Sequence, residues 1–592
     1  MAGLTTDLRR LPVKAALRRA AAAPVAALLT VLLAASCAAD SPDGTKPAAT
    51  KHSVDPAASL AGNYLAGRHA QARGDLPAAA DFLGAALKQA PDTPNLLRRT
   101  FVLMAMDGRM EEATALARRV VAVNAKAPIA ELMVVVEDIK AGRFAEAEKR
   151  LAGLSKNGFN LVMRPLLSAW ARVGLGKPDA ALDALKPLAE EDRSRALHDL
   201  HAALINETAG QAEAAEKQYL RVADSQNGPS LRVVQLLGAL YERAGKADKA
   251  TEIYRNYLEE QPQTRLLGPA LARVEAGTAP ALAVASAADG AAEGLFGVAS
   301  SLRQQNANES ALLFGQMGLY LRPEFPVMQI LIGQILESQE RLESANKAYA
   351  AIDPASPFSW SARLRIASNL NRLDRADEAV ERLRAMAGER PGQAEALINL
   401  GDILRGRERY SEAVDAYDQA MTRIDTLERR HWSLLYARGI VLERSKQWPR
   451  AEADFLRALE FEPEQPYVLN YLGYSWVDKG RNLDKAHAMI KKAVTLRPRD
   501  GYIVDSLGWV LYRSGQYGKA VRELERAVEL RPGDPIINDH LGDAYWKVGR
   551  RQEARFQWRR ALGFDPEPDV KATIESKLIK GLVEKAKTGS DG

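Results

Sequence analysis

A residue pattern that returns every 34 positions limits this chain to one kind of architecture. Leu507-Gly508, Gly515, Ala520, Ala527 and Pro532 recur as Leu541-Gly542, Gly549, Ala554, Ala561 and Pro566. A small residue at the eighth position of such a unit and an alanine at the twentieth let two antiparallel helices approach closely. The proline near position 32 ends the second helix and turns the chain into the next unit. One unit of this size cannot bury its apolar face alone, so the fold is the stack. The expectation is an all-α superhelical solenoid.

The twentieth-position alanine is found first as Ala79, Ala113, Ala147, Ala181, Ala215 and Ala250. Each has a glycine five residues earlier: Gly74, Gly108, Gly142, Gly176, Gly210 and Gly245. Then the phase slips. Ala311 follows 61 residues on, and the excess holds the small-residue run Leu267–Gly290. Ala345, Ala379, Ala413, Ala451, Ala486, Ala520 and Ala554 continue the series, with a longer turn around Arg423–His431. That makes six units and then eight. The segments expected are an N-terminal array over 60–264, an irregular Ala/Gly-rich joint over 265–291, a second array over 292–568, and a capping helix and tail over 569–592. The joint is read either as a degenerate hairpin or as a flexible hinge. Val570, Ile574, Leu578 and Leu582 fall on one face of the cap. Spacing and residue set resemble the tetratricopeptide repeat, a helix–turn–helix unit that stacks into a right-handed superhelix.

At 592 residues the chain is long for one compact core. Its net charge is +6, but Arg9, Arg10, Lys14, Arg18 and Arg19 against Asp7 account for +4 of that. The remainder is near neutral, with no Lys/Arg block, so electrostatics give no case for nucleic acid.

Residues 1–19 are basic and Ala20–Leu33 apolar, a run suited to a signal peptide and too short to span a bilayer. Leu33-Ala34-Ala35-Ser36-Cys37 resembles a bacterial lipobox, with Ala34 where leucine is usual. Cys37 is the sole cysteine of the chain, so no intrachain disulfide can form. The resemblance implies a signal peptide over 1–36, acylation at Cys37, and a flexible tether within 37–59. Ala38 stands where an inner-membrane retention signal carries Asp, which points to the outer membrane, facing the periplasm. The competing reading is an ordinary secretory leader with Cys37 incidental.

No catalytic signature emerges. Gly174–Pro178 (G-L-G-K-P) lacks the first glycine and the Ser/Thr of a phosphate loop, and neither H-E-x-x-H nor G-x-S-x-G occurs. His198 and His201 stand three apart on one helix face, but a structural metal site takes four ligands. They are read as two partly exposed histidines. No enzyme activity, cofactor or metal is expected.

What remains is a surface. Positions 4, 7, 8 and 11 of each first helix face the partner helix, and positions 2, 5, 9 and 12 form a second stripe. In the last three units that stripe carries Tyr467, Asn470 and Tyr474, then Tyr502, Asp505, Trp509 and Tyr512, then Asp539, Asp543 and Trp546. In the repeat family resembled, this stripe lines the groove where peptides or partner helices bind. Rings supply contact area, and the amide and carboxylates meet backbone or basic groups. The competing reading makes Trp509 and Trp546 packing between units, and Asp505 a helix cap.

The pair D-S-L-G-W…D-H-L-G-D-A-Y-W…A-R-F-Q-W-R-R-A-L, ending a long array behind a lipobox, resembles the large tetratricopeptide-repeat lipoproteins of Gram-negative envelopes. Among them is the outer-membrane lipoprotein partner of a carboxy-terminal processing serine protease, to which it brings peptidoglycan hydrolases. The resemblance implies a non-catalytic, lipid-anchored adaptor between a periplasmic serine protease and peptidoglycan hydrolases. The alternative is an assembly or localisation factor for an envelope machine, such as a pilus, secretion or polysaccharide-export complex.

Overall fold

The computed structural model describes residues 59–124, 127–224, 228–261, 264 and 266–582. All belong to one unit, residues 56–592. The expected signal peptide, Cys37 and all but the last residue of the tether lie outside the described residues.

Among the described residues there are thirty α-helices, one 3-10 turn and no strand. Six antiparallel pairs come first. They are α1 (Leu60–Ala72) with α2 (Leu76–Gln89), α3 (Pro94–Met106) with α4 (Met110–Val123), and α5 (Pro128–Lys140) with α6 (Phe144–Gly153). Then come α7 (Asn160–Gly174) with α8 (Pro178–Ala189), α9 (Asp192–Thr208) with α10 (Ala212–Ala223), and α11 (Leu231–Arg243) with α12 (Ala247–Glu260). A short helix, α13 (Gly268–Glu275), follows. Eight further pairs begin with α14 (Ala287–Gln304) and α15 (Asn308–Leu321), α16 (Pro326–Ser338) and α17 (Leu342–Ala350), and α18 (Ser359–Arg372) and α19 (Ala376–Glu389). They continue through α20 (Glu395–Gly406) and α21 (Tyr410–Thr422), α22 (Trp432–Arg444) and α23 (Trp448–Phe461), and α24 (Pro466–Asp478) and α25 (Leu483–Leu496). The last are α26 (Gly501–Arg513) and α27 (Tyr517–Leu530), then α28 (Pro535–Lys547) and α29 (Arg551–Leu562), closed by α30 (Pro568–Lys580). This is the all-α solenoid the 34-residue beat calls for, six pairs and then eight, with a capping helix.

Close packing explains the beat. All fourteen twentieth-position alanines, from Ala79 to Ala554, are fully buried. Opposite them, the glycines Gly238, Gly333, Gly401, Gly439 and Gly542 form notches. A Cβ at any of these would come within 2.3 to 2.5 Å of Tyr254, Tyr349, Tyr417, Phe455 or Trp558, in that order. In these five pairs a ring of the second helix therefore fills the space left by a glycine of the first.

The turn between paired helices needs a left-handed residue. Gly245 and Gly515 supply it, whereas the middle units place Asn306, Glu340, Asp374, Glu408 and Lys446 there at φ 59–61°. That conformation costs a non-glycine residue about 1 kcal/mol. The glycine signal thus fades in mid-sequence while the turn persists. The extra residues between α21 and α22 form a 3-10 turn, Arg429–His431, closed by a capping box between Glu428 and His431.

First helices of successive units lie directly on one another: α7 on α9, α18 on α20, α20 on α22, α24 on α26 and α26 on α28. They make the inner layer of the stack. At the phase slip the chain does something different. Helix α14 packs on α5, α7 and α9, and α15 packs on α3, α4 and α5. The first pair of the second array therefore lies on the inner helices of the first. Helix α14 begins at Ala287, so the end of the Ala/Gly-rich joint is a helix face.

Candidate protein-interaction face

The two arrays present their inner helices differently. In the first, Gly290, Gly294 and Gly297 of α14 form one seam at i, i+4 and i+7. A Cβ at these positions would stand 2.2 Å from Trp170, 3.6 Å from His201 and 3.0 Å from Leu197. Helix α15 adds Phe314, edge-on to Phe159 at 5.2 Å, and Tyr320, whose ring lies 3.4 Å below the Lys140 ammonium. The Tyr320 hydroxyl donates to Glu111 Oε2 at 3.4 Å. Glu293 is buried on α14 and pairs with Arg232 (Nε–Oε2 3.3 Å) and Arg322 (3.7 Å). Ala291, Ala292, Leu295, Phe314 and Met317 of the hairpin are fully buried.

His201 belongs to this contact, not to a metal site, and it is wholly buried rather than partly exposed. Trp170 Nε1 donates to its Nδ1 at 3.0 Å. Burial pulls its pKa down to about 3, so the ring is neutral. His198 pairs instead with Asp199, at 2.9 Å. Among the described residues no three His, Cys, Asp or Glu side chains gather as a metal site.

In the second array the inner layer from α16 to α28 carries no such insert among the described residues. The stripe read from the last three units divides in two here. Tyr467 and Tyr502 are exposed, at 43% and 44%, and Ile536 occupies the same position of α28 at 38%. Arg497 and Arg531 lie over the rings of Tyr467 and Tyr502, at 6.0 and 5.1 Å. Asn470, Tyr474, Trp509 and Tyr512 are half-buried. The Trp509 ring stacks on Tyr512 at 4.9 Å and on His540 at 4.0 Å, and Tyr512 meets Tyr517 edge-on at 5.4 Å.

The carboxylates are held inside the stack. Asp505 accepts from His540 Nδ1 at 3.0 Å; it does not cap its helix, a task performed by Asp500, which accepts from the Tyr502 and Ile503 amides. Lys577 of the capping helix donates to Asp539 at 2.7 Å and to Asp543 at 2.8 Å. Trp558 Nε1 also donates to Asp543, at 3.0 Å. Asp505, Asp539 and Asp543 are all buried. Trp546 packs on Trp558, ring centroids 5.4 Å apart, and a Cβ at Gly581 would lie 2.2 Å from it. These four residues join the last units to each other and to the cap.

Burial sets the electrostatics of that junction. It pushes the Asp543 carboxyl up to about 6, helped by the charge of Asp539 and opposed by Lys577. Burial also pulls His540 down, but the charge and hydrogen bond of Asp505, with Asp539 and Asp543 nearby, leave it raised. The sequence reading did not single out His540, Lys577 or Tyr517. His540 follows Asp505 by one repeat plus one residue, which was the available signal.

What the face offers is rings flanked by guanidinium groups, with the carboxylates already paired. Family models described as "TPR repeat" match residues 508–549, and as "Tetratricopeptide repeat" residues 166–231 and 362–427. The chain contains tetratricopeptide repeats. This repeat chain is 30% identical over 201 residues to the TPR repeat-containing protein PA4667 of Pseudomonas aeruginosa, covering 33% of this chain. It spans about a third (32%) of the length of that curated relative. Among solved structures it resembles a tetratricopeptide repeat protein from Parabacteroides merdae (16% identity, 42% of this chain and 97% of that one, TM-score 0.35). It also resembles the Cut9–Hcn1 hetero-tetramer of APC/C (14%, 89% and 97%, TM-score 0.37) and yeast Tom70 (13%, 88% and 95%, TM-score 0.33). Likeness at these scores says nothing about what the tetratricopeptide repeats of this chain bind. No described helix is long and apolar enough to cross a membrane.

Proposed function

We propose that this chain is a non-catalytic scaffold at the periplasmic face of the outer membrane, tethered through acylated Cys37, that presents cell-wall hydrolases to a periplasmic serine protease. Tetratricopeptide repeats typically serve as protein-interaction scaffolds. The observation that carries the reading is the run of Tyr467, Tyr474, Tyr502, Trp509 and Tyr512 on α24 and α26, rings that the chain itself leaves partly uncovered. Such rings contribute large contact area at low entropic cost. A tether would raise the local concentration of both partners without any new contact.

The test is affinity purification of the full anchored chain from envelope extracts, beside a Tyr467→Ala/Tyr502→Ala variant. The reading expects a serine protease and a wall hydrolase on the parent chain and their loss from the variant. Recovery of a pilus, secretion or export component in their place, or of neither class, would overturn it.

A further inference from the structure

The inner helices of the first array are covered by another part of the same chain, and the contact has the geometry of a receptor with its ligand. The array supplies the large groups, Trp170, His201, Leu197 and Phe159. The covering hairpin supplies the notches, Gly290, Gly294 and Gly297, with Phe314 and Tyr320 as its inserted rings. Shape alone does not make the match. His201 Nε2 is fully buried and unpartnered, 3.7 Å from where a Cβ at Gly294 would stand, so the groove floor has a polar atom aimed at the seam. Glu293, buried on the hairpin, meets Arg232 of α11. Tyr320 and Gln316 reach Glu111 and Gly108, on the far side of the array from Arg232 in sequence. Between α13 and α14 lie eleven residues, 276–286, with no helix among them. A stretch of that length spans roughly 36 Å when extended, enough to deliver the hairpin to the groove.

We infer that α3, α5, α7 and α9 form a binding groove for a glycine-seamed helical hairpin, and that α14–α15 is its ligand, bound in cis. The first array is thereby occupied before any other protein arrives. Taken with the scaffold reading, on which this last step rests, outside partners are left the inner face of α16 to α28. The ring at the groove floor, His201, is held neutral by burial, which pulls its pKa down to about 3.

A labelled synthetic peptide covering residues 287–321 is the probe. It is titrated onto the full chain and onto a Gly290→Leu/Gly297→Leu variant, whose own hairpin cannot seat. The parent chain should leave the peptide free, and the variant should bind it more than about a hundredfold tighter, because the fraction of open groove sets the apparent affinity. Binding of the peptide by the parent chain, or none by a variant that still melts cooperatively, would overturn the inference. Should the variant fail to fold, amide exchange on the parent decides. Protection in α14 and α15 equal to that in α7 and α9 supports occupation in cis; a hairpin that exchanges more than about a hundredfold faster refutes it. No outside partner enters this experiment, so its failure would leave the scaffold reading standing.

Discussion

Gly290 on α14 and Trp170 on α7 are in direct contact, with room for no atom between them: a Cβ at Gly290 would lie 2.2 Å from the indole. Four residues on, Gly294 has ordinary van der Waals space, at 3.6 Å from His201. The two glycines should respond in opposite ways. Gly290→Ala is expected to destabilise the chain by about 1–3 kcal/mol through overpacking. Gly294→Ala should be neutral or stabilise by about 0.5–1 kcal/mol, since alanine favours a helix interior over glycine. Thermal unfolding of the two variants checks this; equal midpoints would mean that the hairpin is not seated.

The beat itself can be tested at Ala520, fully buried where α27 crosses α26. Ala520→Leu forces three added side-chain carbons into a filled interface and should cost about 1–3 kcal/mol. Denaturant titration reads the loss as a lower midpoint at unchanged slope.

Lys577 is the counter-ion of two buried carboxylates, Asp539 and Asp543, and its own side chain is only 13% exposed. Lys577→Met keeps the stem but strands both acids, at a cost of about 3–5 kcal/mol. Because the units at this end of the stack pack only on their neighbours, loss should concentrate at the C-terminal end. Amide exchange should show α28 to α30 opening while α16 to α20 stay protected.

The same junction has a pH dependence of definite sign. Asp543, raised to about 6 in the fold, binds its proton more tightly there than in the unfolded chain, so stability falls as pH climbs from its ordinary value of 3.8. His540, also raised, contributes stability below its ordinary 6.5 and loses it as pH rises through its folded value. Both act together, against a surround of Asp505, Asp539 and Lys577. Protection of α28 and α30 should therefore be greater near about pH 5 than near about pH 8 once intrinsic exchange rates are corrected. The reverse trend would show that the buried cluster is not closed as described.

Position in the stripe decides which aromatic variants report on binding. Tyr502 is 44% exposed, so Tyr502→Ala should change stability by no more than about 0.5 kcal/mol while weakening capture of a partner. Trp509 is different, because its ring stacks on both His540 and Tyr512. At about 0.5–1.5 kcal/mol per aromatic pair, Trp509→Ala should lower stability as well as binding. Melting curves beside pull-downs for both variants separate the two effects.

Much of the fold was legible in the residue order. The alanine beat located all fourteen helix pairs, because a small residue is needed wherever two helices cross closely, and that need recurs once per unit. The prolines marked where second helices end, since proline lacks the amide a helix interior requires. The stripe of candidate contacts was legible only in part. Asp505, Asp539 and Asp543 share helix positions with residues that elsewhere face outward, and nothing local distinguishes a carboxylate paired one unit away from one left free.

Repetition and local chemistry were enough, then, to dictate helix pairs, their number and their turns, for each depends on residues within one unit of length. Which inner face is open, and which acids are available, was settled only by the folded chain. Those answers depend on groups far apart in sequence, such as Gly290 against Trp170 and Lys577 against Asp539, whose meeting is fixed by how the whole stack buries its apolar surface and pairs its buried charges.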